Sequence, residues 1–336
     1  MLKFSIAMAS YNGADYIRAQ IDSFAAQTRL PDELIVFDDC SQDSTLSIIQ
    51  QFARKAPFEV KIFANEKNIG YVKNFSKALS YCSGDIVLLS DQDDVWLPAK
   101  LSKLEEYFQV HPEVLLLIHD IAFCKSDLVP IGQTKIERMR GIFDLQKSYV
   151  VGMASAIRRD FLKLCLPIPD IEGLTHDAWL HMCAHALDAK RVIEDVLVLH
   201  RRHGANVTTG NPLNVDFVTT PAYFRETRPN LFRRLEQMKD DMILQSYISA
   251  ALLEWLEQGS DIFLRANYAD SEIIDRSTTD MRQRCIAETL RCEILSKQCV
   301  KRLSMIYKLY RSSGYRYFRG WKSLVSDFVF RCVLRF

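Results

Sequence analysis

The sequence predicts an α/β protein: a mixed, mostly parallel sheet flanked by helices, followed by an α-helical C-terminal region. Three observations carry that expectation. Up to about residue 120, short apolar runs alternate with helical periods, the pattern of a parallel sheet with covering helices. Polar residues gather after the first, second and fourth of those runs, where open α/β sheets bind ligands. From 230 to 336 there is no proline, and glycine stands only at 259, 314 and 320.

Taken in order, residues 4–9 read as the first strand and 14–27 as its helix, with Ile17, Ile21 and Phe24 on one face. Residues 33–38 form the second strand. Ser41 and Asp43 are suited to cap the helix that runs through Ala53, because their oxygens accept first-turn N–H groups. Strand three is 60–64, its helix 71–81, and strand four 85–90. The middle, 121–210, is mixed, with a strand over 149–158 and a helix over 177–187. Helices are expected near 230–258, 261–275 and 279–312. The segment 206–229, rich in Asn, Thr and Pro, divides a domain at 1–210 (halves 1–120 and 121–210) from a helical one at 211–336.

Charge excludes one class of partner. The 43 basic and 42 acidic residues leave a net charge of +1, so no global field recruits nucleic acid. The balance is uneven, however: residues 276–336 hold 14 basic and 4 acidic residues, so the tail is cationic and the body anionic. Nine cysteines, an odd number with no C-x-x-C pair, argue against a disulfide framework or a thiolate zinc site and point to a reducing cytoplasm. No apolar run is long enough to span a bilayer, and the N-terminus has no signal-peptide pattern.

The densest chemistry is Ser90-Asp91-Gln92-Asp93-Asp94-Val95-Trp96-Leu97-Pro98. Carboxylates crowded at a strand end repel one another and are costly to desolvate, so they call for a cation. Mg²⁺ or Mn²⁺ suits, being held by one or two carboxylates together with substrate phosphates. A solvated acidic turn capping the helix after Pro98 is the competing reading. His181 and His185 lie four apart, but His-Met-Cys-Ala-His lacks the glutamate of a zinc H-E-x-x-H helix.

Further motifs accompany the acidic run: Ser10-Tyr11-Asn12-Gly13, Asp38-Asp39-Cys40-Ser41-Gln42-Asp43 and Asn68-Ile69-Gly70. In that order and spacing, the chain resembles family 2 glycosyltransferases of the GT-A fold over residues 3–210. It looks most like the bacterial rhamnosyltransferase-type branch, through His176-Asp177-Ala178-Trp179 and Arg201-Arg202-His203-Gly204-Ala205-Asn206.

The resemblance implies an inverting transfer from a UDP- or dTDP-sugar to a surface-polysaccharide acceptor on a lipid carrier. Asp39 then matches the acceptor of the pyrimidine N3–H and Tyr11 the ring against the base, with Asn68 and Asn74 as further donor-site candidates. Asp93 resembles the direct metal ligand, Asp91 the residue near the ribose or the metal's waters, and His203 a further metal or diphosphate ligand, although a loop histidine fits equally. Asp177 matches the base; the start of a helix lowers its pKa, so the reading rests on position.

Two other functions compete. A nucleotidyltransferase would need a glycine-rich, basic first loop, which Ser10 to Ala14 does not supply. A non-catalytic nucleotide-sugar scaffold would not need Asp39, Asp91, Asp93 and Asp177 together. In the tail, Cys285, Cys292 and Cys299 recur every seven residues, a packing stripe open to oligomer formation. The aromatic and basic run from Tyr315 onward fits a peripheral contact with the inner-membrane surface or packing on protein.

Overall fold

The computed structural model describes residues 1–202, 231–296, 300–318, 320–324 and 327. Contacts separate an α/β unit (1–169 with 175–202) from a helical unit (170–174 with the helices from Leu231 onward). The boundary expected at 210 lies outside the described residues, as does His203.

In the α/β unit, β1 (Phe4–Ser10), β2 (Glu33–Asp38), β3 (Glu59–Ala64) and β4 (Ile86–Ser90) alternate with α1 (Ile17–Ala25), α2 (Thr45–Ala53) and α3 (Tyr71–Ser80). β5 (Val95–Trp96), α4 (Lys100–Val110), β6 (Leu116–Cys124), the short helices α5 (Lys135–Met139) and α6 (Leu145–Ser148), β7 (Ser155–Arg158), α7 (Arg159–Cys165), α8 (His176–Ala186) and β8 (Lys190–Arg201) follow. One sheet contains all eight strands in the order β3-β2-β1-β4-β7-β6-β8-β5. β1 pairs parallel with β2 and β4, β2 with β3, and β6 with β8, whereas β7 and β5 run antiparallel to their neighbours. The mixed, mostly parallel sheet flanked by helices is thus present.

Residues of β1, β2 and β4 are buried almost without exception, as expected of strands covered on both faces. The register aligns Ser10 with Asp38, Asp38 with Ala64 and Met8 with Ser90, which brings the loops after β1, β2 and β4 to one edge. β1 leads to β2 on one side and borders β4 on the other, so this edge is a topological switch point.

The middle of the chain departs from the sequence reading. Only 155–158 of the expected strand at 149–158 pairs in the sheet; a 3₁₀ turn at Gly152–Ala154 interrupts the chain before it, and α6 ends at Ser148. Tyr149 is fully buried, and its hydroxyl donates to the His119 carbonyl at 3.1 Å, so its apolar neighbourhood reflects core packing and not strand pairing. β6 escaped notice because His119 and Asp120 interrupt its apolar run. Both are buried, with Asp120 accepting from the Ile121 and Ile136 N–H groups at a register shift in the strand.

The helical unit contains α9 (Leu231–Arg265), α10 (Ser271–Ser296) and α11 (Val300–Arg311). The break expected after 258 is absent. A Cβ on Gly259 would stand 2.2 Å from the buried Phe263 ring, so the glycine makes room inside a continuous helix. Asn267 ends α9 instead, at φ 55°, with Tyr268 N–H donating to the Phe263 carbonyl at 2.9 Å. Asp270 then caps α10 by accepting from Ile273 N–H at 2.8 Å. Ala287, Ile294, Ile306, Leu309 and Tyr315 form a core, beside which Arg291 pairs with the buried Asp327 at 3.2 Å. Cys285 and Cys292 are half-buried, while Cys299 falls outside the described residues.

Candidate active site

The loop after β1 is gripped from two directions. On one side, Asn12 N–H donates to Ser41 Oγ (2.9 Å), Gln42 N–H to Asn12 Oδ1 (2.8 Å) and Gly13 N–H to Thr45 Oγ1 (2.8 Å). On the other, Gln92 uses both ends of its amide on one residue: Oε1 accepts from Tyr11 N–H and Nε2 donates to the Tyr11 carbonyl, each at 2.9 Å. A Cβ at position 13 would lie 2.2 Å from Gln92 Oε1, so glycine is what lets the acidic loop approach. The Tyr11 ring is left 46% exposed, available for stacking.

Asp38 and Asp39 divide their work. Asp38 is fully buried and accepts from Ser10 Oγ, Ser41 N–H and Ser41 Oγ, which fixes the turn. Asp39, 2% exposed, accepts at Oδ1 from Asn65 Nδ2 and Ile69 N–H and at Oδ2 from Gly70 N–H, all at 2.9 Å. Those bonds leave one acceptor position on Oδ2. Asn68 is exposed and closes its own turn by accepting from Gly70 N–H at 3.1 Å. Asn74 is buried, donating to the Phe37 carbonyl (2.7 Å) and accepting from Asn65 (2.8 Å), and so braces the residue that braces Asp39.

The acidic loop begins where β4 ends. Burial pushes the Asp91 carboxyl well above the ordinary aspartate range, and Asp94, Asp93 and Asp177 push it further, against the opposing charge of Lys100. Asp94 is fully buried: its Oδ1 accepts from Arg201 N–H at 3.1 Å and lies 2.9 Å from His200 Nδ1, tying the loop to β8. Its Oδ2 is buried with no hydrogen-bond partner. The Asp93 carbonyl accepts from Arg201 Nε at 2.8 Å.

Beneath the loop sits Lys100, fully buried, donating to the Met153 carbonyl at 2.8 Å with Nζ 3.5 Å from the Trp96 ring centroid. Burial holds its pKa well below the usual lysine value despite Asp94 and Asp91. Sequence reasoning missed it, although Lys100 shares a helical stripe with Leu104 and Phe108, an odd place for a lysine. Gln92 and Asn65 were missed too, since nothing in a sequence tells a clamping amide from a surface one.

Asp177 stands in the first turn of α8, whose N-cap is Thr175. Asp177 Oδ1 accepts from the Thr175 hydroxyl and from Ala178 N–H at 2.9 Å. Burial raises its pKa, but His176, the Thr175 bond, His181 and the Ala178 bond outweigh it and hold the carboxyl below the ordinary value. Oδ2 faces Gly152, where an added Cβ would come within 3.7 Å. His176 stacks on Phe75 at 4.0 Å and meets Tyr71 edge-on at 6.0 Å, so α3 supports α8 here. His181 is buried with Nε2 2.8 Å from Ser155 Oγ, a structural partner.

Asp91, Asp93, Asp94 and Asp177 therefore share one electrostatic neighbourhood, with Tyr11 joined to it through Gln92. Asp39 is held by a separate set of bonds, linked to the end of β1 by its own N–H, which donates to the Ser10 carbonyl at 2.8 Å. Among the described residues no three His, Cys, Asp or Glu side chains are arranged to hold a metal ion by themselves. An ion that takes one or two carboxylates plus substrate phosphates needs no such cage. The destabilised Asp91 carboxyl and the unpartnered Asp94 Oδ2 fit a cation in the loop.

Comparison with known proteins agrees with this geometry. Residues 5–165 match Glycosyl transferase family 2. A Mycobacterium tuberculosis protein, Rv1520, is 39% identical over 125 residues, spanning 37% of this chain and only 36% of that protein. An uncharacterized glycosyltransferase of Nostoc, alr2836, is 29% identical over 216 residues, 61% of this chain and 66% of its own. The crystal structure of S. aureus TarS 1–349 in complex with UDP-GlcNAc superposes with a TM-score of 0.51, covering 95% of this chain and 90% of that one. At 18% identity, that likeness is one of fold. Residues 5–165 are thus similar to glycosyl transferase family 2, and they lie within a GT-A-like mixed sheet flanked by helices.

Proposed function

We propose that this protein is an inverting, metal-dependent glycosyltransferase that moves a sugar from a UDP- or dTDP-sugar to a hydroxyl of a growing, lipid-linked surface polysaccharide. The observation that carries this reading is the acidic loop after β4, which Gln92 clamps to the Tyr11 backbone and in which Asp94 Oδ2 is buried with no hydrogen-bond partner. Tyr11 offers a face to the base, and the remaining acceptor position of Asp39 suits an imide N–H. The UDP-GlcNAc bound by the similarly folded TarS supports a uridine donor.

Asp93 and Asp91 would hold Mg²⁺ or Mn²⁺, with His203 as a further ligand. Such an ion, when bound, balances the charge of the departing diphosphate. Asp177 takes the proton of the acceptor hydroxyl, whose oxygen attacks the anomeric carbon from the face opposite the leaving nucleotide. Gly152 leaves the space beside Asp177 Oδ2 that an incoming hydroxyl requires. The exposed Tyr307, Tyr310 and Trp321, interspersed with the exposed Lys308, Arg311 and Lys322, would give the helical unit its hold on a membrane face.

The test is calorimetric titration of the whole chain with UDP and dTDP, with and without Mn²⁺, alongside donor hydrolysis. Manganese-dependent nucleotide binding that Asp93→Ala weakens at least tenfold is the expected result. Absence of binding under every condition would overturn the reading.

A further inference from the structure

Around α5 and the end of β8 lies a group of cations that the reading above leaves unused. Arg138, in α5, and Arg202, just past β8, both stand over the Phe123 ring of β6, with guanidinium carbons 4.2 and 6.0 Å from its centroid. Lys135, one turn before Arg138, has Nζ 5.3 Å from the Tyr149 ring centroid. All three are partly buried.

Each is held in place by the backbone. Arg138 Nε donates to the Gln133 carbonyl at 3.1 Å and one terminal nitrogen to the Ile131 carbonyl at 3.4 Å. Lys135 Nζ donates to the Val150 carbonyl at 3.0 Å, two residues from the Gly152 that faces Asp177. Arg202 N–H donates to the Cys124 carbonyl at 2.9 Å, which fixes it beside Phe123.

Among the described residues, no carboxylate lies within ion-pair distance of any of the three, whereas nearby Arg140 is paired with Glu194 at 2.6 Å. Like charges brought together and half buried repel, and the strain is legible. Burial, together with Arg202, lowers both Lys135, to about 8, and Arg138. Asp177 and Asp120 support Lys135 only at a distance, and Asp120 is occupied by the Ile121 and Ile136 N–H groups. Guanidinium groups prearranged over a ring, with donors unspent, are suited to a phosphate or carboxylate.

Building on the glycosyltransferase reading, we infer that Lys135, Arg138 and Arg202 form an oxyanion subsite for the acceptor, so that the acceptor carries a phosphate or carboxylate close to the hydroxyl presented to Asp177. The contact of Lys135 with the Val150 carbonyl places this subsite two residues from the Gly152 that faces Asp177.

The test titrates the full chain with four probes: glycerol 3-phosphate, farnesyl phosphate in detergent, methyl β-glucuronide and the neutral methyl β-glucoside. UDP with Mn²⁺ is titrated in parallel. At least one anionic probe is expected to bind tenfold or more tightly than the glucoside, in a salt-sensitive manner; which one binds separates a polymer phosphate, a lipid phosphate and a uronic acid. Arg138→Gln should weaken that probe at least tenfold more than it weakens UDP, Arg138→Lys should restore part of the loss, and Arg140→Gln should leave the titrations as they are. Equal binding of charged and neutral probes, or parallel loss of probe and UDP in Arg138→Gln, would overturn the inference, the second outcome assigning the cations to the donor diphosphate. Failure of wild-type protein to bind either UDP or dTDP, each titrated with Mn²⁺, would instead sink the glycosyltransferase reading, independently of the probe results.

Discussion

At the residue scale, the proposed base works through position. Asp177 is held below the ordinary aspartate range despite burial, because His176, Thr175, His181 and Ala178 N–H favour its anion. A lowered pKa keeps the carboxylate ionised as pH falls, so kcat/KM should show no limb from this group between pH 5 and 7. Asp177→Asn should cost about 10² to 10⁴ in transfer rate while nucleotide binding by calorimetry persists. Gln92 makes a different prediction. Gln92→Ala removes both bonds to the Tyr11 backbone and should raise the UDP dissociation constant about tenfold, the equivalent of one to two ordinary hydrogen bonds. The sequence exposed the carboxylates because acidic runs at strand ends are chemically conspicuous. It concealed Gln92, Lys100 and Asn65, whose roles exist only once chain segments far apart in sequence have met.

At the element scale, α8 couples the site to pH through stability. Burial holds His176 down to about 4 and His181 to about 3, and the charges of Asp177, Lys190 and Lys135 modify but do not reverse this. Below about pH 6.5 an unfolded histidine takes up a proton that the folded one refuses, so stability falls as the pH drops from there toward the folded values. At pH 5 the loss is on the order of 2 kcal/mol for each histidine. Urea melts at pH 7 and pH 5 should show it, and His176→Phe, which preserves the ring stack on Phe75, should roughly halve the difference. In the helical unit, Gly259→Ala should destabilise even though alanine is the better helix former by about 1 kcal/mol. The new methyl would strike the Phe263 ring, itself packed on Trp255 at 4.6 Å, and overpacking costs about 1 to 3 kcal/mol. β1, β2 and β4 were legible because burial on both faces leaves continuous apolar runs. β6 was not, since its buried His119 and Asp120 are satisfied by partners that no local pattern announces. The α9 stop was misplaced for a related reason: a glycine can mark a tight contact as well as a helix end, and here Asn267 supplies the left-handed residue.

At the scale of the whole molecule, the near-neutral net charge conceals a division of labour, with 14 basic against 4 acidic residues after 275 and the excess of acid before it. No helix among the described residues is long and apolar enough to cross a membrane. Not all of the tail faces outward: Tyr315 is buried, its hydroxyl donating to Asp327 at 3.0 Å, and Arg291 completes that network. Among the described residues, Tyr307, Tyr310 and Trp321 are exposed at 63%, 59% and 70%, with the exposed Lys308, Arg311 and Lys322 among them. Each basic residue near an anionic bilayer is worth about 1 kcal/mol, so three give roughly a hundredfold preference for anionic over neutral lipid at low salt. Co-sedimentation with vesicles of phosphatidylglycerol and phosphatidylcholine should show that preference, fading as salt is raised toward 0.5 M, a concentration at which about one Debye length of 4 Å screens the contact. Trp321→Ser should weaken binding at every salt concentration, because it removes the apolar anchor, whereas Lys308→Glu with Arg311→Glu should abolish only the salt-sensitive part. If neutral and anionic vesicles are bound alike, or neither is bound, the aromatic and basic surface belongs to a protein partner, and concentration-dependent sedimentation of the same variants would then identify a second copy of this chain.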